Sequence, residues 1–129
     1  MLAGMAITLP ILIVHEVIHR QTLPKEYRAN AGLGIDVKQI AIGVLWAGQV
    51  SRGRMILIQL TPALILSVIP LALSLLPAFD SEVFRAYIVA HTAACAGDFM
   101  GVAKVLRKTP AKSGIHVWGN RVFWGPLKS

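Results

Sequence analysis

Three apolar blocks separated by two polar ones set the pattern of the chain. Residues 1–14 carry no charge, and this run leads directly into His15-Glu16-Val17-Ile18-His19. A helix from about Leu2 to Arg20 is just long enough to span a bilayer, with a kink expected at Pro10. It should stop by Leu23, because the residue before Pro24 disfavours the helical region. Residues 25–54 are polar and contain glycine, and the alternation in Val37-Lys38-Gln39-Ile40-Ala41-Ile42 predicts a β-hairpin or meander. The second block, Met55 to Pro77, is 23 residues without a charge and the strongest spanning signal in the chain. Kinks are expected at Pro62 and Pro70, which a membrane helix tolerates when neighbours satisfy the freed backbone groups.

A short acidic link, Ala78 to Glu82, precedes a third helix expected over Val83 to Leu106, apolar apart from Arg85, His91, Asp98 and Lys104. After Pro110, the Gly119-Asn120 pair between alternating apolar residues predicts a tight hairpin, with tryptophans placed for the headgroup level. The expected fold is mainly α. It has three transmembrane or fully apolar helices, a small β-hairpin or meander between the first two, and a C-terminal hairpin, all in one membrane-embedded domain over residues 1–129. No internal repeat or low-complexity tract interrupts it.

Composition agrees with a lipid phase: 55% hydrophobic and 15% charged residues lie outside the ordinary soluble range. A soluble chain of 129 residues keeps too much surface exposed to bury three such blocks on all sides. The net charge of +7 raises nucleic acid as a partner, but no basic patch on a polar domain and no recognisable module accompanies it, so that class is set aside. Cys95, the single cysteine, excludes an internal disulfide and any multi-cysteine zinc site. The opening MLAGMAITLPILIV lacks the basic start and cleavage site of a secretory signal and is read as structure.

Basic residues cluster in 20–54 and 104–129, while the link between the second and third blocks holds only Asp80 and Glu82. By the tendency of positive residues to stay cytoplasmic, this predicts three spans with an outside N-terminus. The expected setting is a multi-pass protein of a bacterial or archaeal cell membrane, with lipid as a partner and His15 and His19 toward the cytoplasmic face.

The chemistry sits in His-Glu-x-x-His. Helix geometry puts residues four apart on one face, so both imidazoles reach one Zn2+ while Glu16 lies beside the water the metal activates, as its general base. With 4 His and 3 Glu in 129 residues, chance supplies roughly 0.003 such matches. A catalytic zinc usually takes three protein ligands. Asp98 is the best third candidate, since a carboxylate in an apolar helix needs a cation. The plainer reading pairs it with Lys104 or Arg107, or has it cap a helix broken at Gly97. His91, seven residues earlier, lies on the same face. It is read as a hydrogen-bonded core histidine, as a catalytic helper steadying substrate or oxyanion, or as a ligand. Cys95 reads as a small buried apolar residue and His116 as a surface or interfacial one. The strand Val37 to Val44 is a candidate edge for an extended substrate, or a cover over the helix ends.

HEVIH at 15–19, the β-like stretch after it, Leu60-Thr61-Pro62 opening a proline-containing helix, Ala96-Gly97-Asp98, and the tail from Ser113-Gly114 to Trp124 together resemble the small Putative zincin peptidase family. That family is itself distantly similar to the site-two proteases, the intramembrane zinc metalloproteases. The resemblance covers nearly the full length. It implies His15, His19 and Asp98 as zinc ligands, Glu16 as the catalytic residue, and cleavage of a membrane-associated peptide or protein. Site-two proteases usually carry a longer Asn-Pro or Leu-Asp-Gly type motif around the aspartate, and here Phe99 follows it. Two other classes fit the pattern: a non-catalytic zinc-binding membrane protein with a regulatory or binding role, and a soluble or peripheral helical protein whose long apolar segments form an interaction surface rather than spans.

Overall fold

A computed structural model describes residues 2–36, 41–118 and 121–127. The centre of the predicted strand, residues 37–40, and the predicted Gly119-Asn120 turn lie outside the described residues.

Helix α1 (Leu2–Thr22) takes up the uncharged opening run and stops two residues before Pro24. Its last carbonyls have no helical donors, and guanidinium groups replace them. Arg54 Nη2 donates to the Thr22 carbonyl at 2.6 Å, and Arg28 Nε donates to the Leu23 carbonyl at 2.8 Å. A short helix α2 (Lys25–Arg28) leads into the expected hairpin, β1 (Gly32–Asp36) against β2 (Ala41–Leu45), with Leu33 opposite Val44. Gly48, at φ 141, lies where a side chain is strained, and a Cβ there would run into the Tyr27 ring.

Strand β3 (Val50–Ser51) does not extend that hairpin. It pairs with β4 (Ser113–Trp118), which pairs with β5 (Arg121–Pro126), so that Val50 faces Ile115 and Trp118 faces Arg121. The C-terminal hairpin is present, and a segment from the middle of the chain completes it into a three-stranded sheet.

Ser51 ends β3 and caps the next helix, its Oγ accepting from the Arg54 N–H. The second apolar block is one continuous helical stretch: α3 (Arg52–Ala63), a π-helical turn (Leu64–Val68) and α4 (Ile69–Leu73). Among the described residues it is the one helix long and apolar enough to cross a membrane. Its 22 residues reach about 33 Å at 1.5 Å per residue.

The third block departs from the single helix expected over Val83 to Leu106. It is divided at Cys95 (φ −72°, ψ 0°) into α5 (Glu82–Ala94) and α6 (Ala96–Lys108). The chain turns where ψ opens to zero, although Cys95 N–H still donates to the His91 carbonyl and Phe99 N–H to the Cys95 carbonyl, both at 3.1 Å. Each half has 13 residues and spans about 20 Å, short of a bilayer on its own.

The packed core gathers at one end of the helices. Leu23, Trp46, Val50, Met55, Ile58, Val105 and Ile115 join the end of α1, the start of α3, the end of α6 and both sheets' neighbourhoods. Arg52 Nη2 ties this end together by donating to the Leu106 carbonyl at 3.0 Å. Elsewhere the helices carry their apolar side chains outward. Ile13, Val14, Leu64, Val68, Ile69, Leu71, Val83 and Val89 are all exposed.

Candidate metal centre

The site lies where α1, α3, the π turn, α5 and α6 meet. Residues 15–19 are helical, so His15 and His19 project from one face of α1, a single turn apart. Their Nε2 atoms are 3.0 Å apart, with the rings edge to face at 76°. Asp98, in the first turn of α6, lays its carboxylate across both, Oδ2 at 3.0 Å from His15 Nε2 and Oδ1 at 3.2 Å from His19 Nε2. The bend at Cys95 places Asp98 on α6 and His91 on α5, so that Asp98 reaches both histidines and His91 reaches His15 from a different helix. The residues expected to bind metal are thus brought together.

These groups fit a metal ion. Zinc bonds to nitrogen and oxygen at about 2.0–2.2 Å, and tetrahedral placement then puts ligand atoms about 3.4 Å apart, a few tenths beyond the contacts found here. Asp98 Oδ2 is buried without a hydrogen-bond partner despite its approach to His15 Nε2. Orientation at Nε2 is fixed from behind. His19 Nδ1 lies 2.9 Å from the Ile58 carbonyl, which only accepts, so Nδ1 carries the proton and the Nε2 lone pair is free for a metal.

Glu16 is 8% exposed beside this cluster. Its carboxylate accepts a backbone hydrogen bond from Val44 of β2, while Oε2 is buried with no partner.

His91 stands behind His15, away from the shared nitrogens. Its Nε2 is 3.1 Å from His15 Nδ1, and its Nδ1 is 2.8 Å from Ser67 Oγ. The Tyr87 ring lies over one side of it, and Cys95 Sγ approaches Nδ1 at 3.7 Å. His15, His91 and Cys95 are also close enough to share an ion on that rear side. His116 is remote in role: its Nδ1 donates to the Gly48 carbonyl at 2.8 Å and joins the C-terminal sheet to the loop before β3.

Three participants escape a reading of residue types alone: the Ile58 carbonyl, the Val44 N–H and Ser67. The two backbone groups carry no side-chain signal. Ser67 carried one, as a hydroxyl inside an uncharged apolar block between two prolines, where a polar group needs a partner.

The Putative zincin peptidase family model matches residues 8–113. No curated protein and no solved structure matches the chain. With most of its length covered, from within α1 to the start of β4, the chain belongs to that family of zinc metallopeptidases.

Proposed function

We propose that this zincin-family chain is a membrane-embedded zinc endopeptidase, with His15, His19 and Asp98 as ligands and Glu16 as general base. The observation that carries the reading is the convergence of two imidazole Nε2 atoms and one carboxylate within 3.0–3.2 Å, beside a buried carboxylate oxygen without a partner. When bound, zinc supplies Lewis-acid polarisation of a scissile carbonyl and a water acidic enough to deprotonate near neutral pH. Glu16 takes that proton and returns it to the leaving amine.

The strand beside Glu16 suits an extended peptide. Val44 gives its N–H to Glu16 and therefore turns that side of its backbone away from β1, as does Ile42 two residues earlier. A substrate strand added along this edge of β2 would run past Glu16, which supports a peptide or membrane-protein substrate.

Membrane placement rests on exposure. The 18-residue apolar window of Arg52–Leu73 is only 22% buried, whereas a soluble protein's core helix of that composition is mostly buried. Exposed apolar residues on α1 and α5 extend the same surface. On this reading all three apolar blocks lie in the bilayer, α5 and α6 together making the third, with the metal site toward the cytoplasmic face and reached by water there.

Glu16→Gln decides between peptidase and zinc-binding protein without hydrolysis. Purified protein, wild type and variant, is incubated with a detergent-solubilised membrane-peptide library and products are read by mass spectrometry. Cleavage by wild type that disappears in Glu16→Gln, with zinc retained, supports the peptidase. Zinc binding with no cleavage in either protein points to the regulatory role.

A further inference from the structure

The helix Arg52–Leu73 contains Pro62 and Pro70, two residues that cannot donate to the carbonyl four positions earlier. Those carbonyls belong to Ile58 and Leu66. Both are taken by side chains of the site: His19 Nδ1 lies 2.9 Å from the Ile58 oxygen, and Tyr87 donates its hydroxyl to the Leu66 oxygen at 2.9 Å. Between the prolines the helix widens into a π turn, Leu64–Val68, in which Ile69 N–H reaches back to the Leu64 carbonyl. Such turns are rare and concentrate at functional sites. This one holds Ser67, 6% exposed, with its Oγ on His91 Nδ1.

We propose that this helix positions both zinc-facing histidines, with Pro62, Ser67 and His91 as the positioning residues. The proposal rests on the zinc site above. A neutral imidazole has one protonated nitrogen, and a metal needs the other. At His19 the carbonyl freed by Pro62 holds the proton on Nδ1 and leaves Nε2 open. At His15 the same result needs an acceptor behind Nδ1, and the group there is His91 Nε2 at 3.1 Å. His91 can accept at Nε2 only if its own proton is on Nδ1, where Ser67 Oγ receives it at 2.8 Å. The chain Ser67, His91, His15 therefore has one arrangement of protons that leaves His15 Nε2 free, and every bond in it is of hydrogen-bonding length.

Packing holds His91 in that arrangement. It is 3% exposed, with the Tyr87 ring at 6.1 Å and tilted by 29°, one turn before it on α5. Tyr87 is in turn tied to the carbonyl that Pro70 leaves free. Both prolines thus serve one end, each converting a lost helix hydrogen bond into an anchor for a side chain around the metal site.

The test is zinc affinity of the full chain in detergent, by competition with a fluorescent chelator, with thermal unfolding followed in parallel. His91→Phe removes the acceptor and should weaken zinc by about 10–100-fold. His91→Gln, whose amide oxygen reaches about the same place, should restore affinity to within a few-fold of wild type. Pro62→Ala returns an N–H to the Ile58 carbonyl, so it should raise the unfolding temperature while weakening zinc several-fold, a pair of changes that simple loss of packing cannot produce. Equal zinc affinity in wild type, His91→Phe and Pro62→Ala would overturn the proposal and leave the zinc site standing. Absence of zinc binding in wild type would remove the zinc reading itself. If instead Cys95→Ser weakens zinc as much as His91→Phe does, the ion sits behind His15 on His91 and Cys95, and the positioning role is refuted.

Discussion

Asp98→Asn keeps the size of the side chain and removes its charge, which makes it the sharpest probe of the ligand set. The carboxylate spans both imidazoles at 3.0 and 3.2 Å and is largely buried, so little water is available to replace it. With zinc bound, Asp98→Asn would remove one partner of a buried charge pair between carboxylate and ion, a loss of about 3–5 kcal/mol. Taken at the lower end, because the Asp98 side chain keeps 17% exposure, about 3 kcal/mol corresponds to roughly a hundredfold weaker binding at 1.4 kcal/mol per factor of ten. The assay is competition for zinc between detergent-purified protein and a chelator of known affinity, at fixed pH and salt. A loss smaller than about fivefold would remove Asp98 from the proposed ligand set. Asp98→Glu should fall between the two, its extra methylene forcing the carboxylate off one of the nitrogens.

Glu16→Gln should bind zinc within about twofold of wild type while peptide hydrolysis falls by about 10²–10⁴, the usual contribution of a positioned general base; parallel zinc and cleavage assays check it. After alkaline carbonate washing the chain should stay with the membrane pellet and be released only by detergent; recovery in the wash would contradict the membrane reading. Met55 is 1% exposed in the core that joins α1, α3 and α6, so Met55→Ala should cost about 2–5 kcal/mol, read as a lowered unfolding midpoint in detergent.

Much of this arrangement is written in local pattern. The end of α1 follows from Pro24, the common face of His15 and His19 from helical spacing, and the C-terminal hairpin from its alternation; the first hairpin was expected in the right stretch, with its described strands at Gly32–Asp36 and Ala41–Leu45. Asp98 was legible as a group needing a cation. The break in the third block was raised only as an alternative, at Gly97, since Ala94-Cys95-Ala96 has no local reason to leave a helix; its place at Cys95 puts His91 and Asp98 on separate helices that meet the histidines of α1. The pairing of β3 with β4 is a contact across more than sixty residues, and strand propensity carries no information about such partners. The prolines of the second block read as kinks. Their larger effect, freeing the Ile58 and Leu66 carbonyls for His19 and Tyr87, appears only when neighbouring helices are in place.

A zinc site built on His15 and His19 is tested by the metal content of purified protein, read by elemental analysis of wild type against His15→Ala/His19→Ala. About one zinc per chain is expected in wild type, as a single three-ligand site requires, and essentially none in the double variant. Wild-type protein that holds no zinc after reconstitution, or a double variant that retains it, would rule out a zinc site on these two histidines.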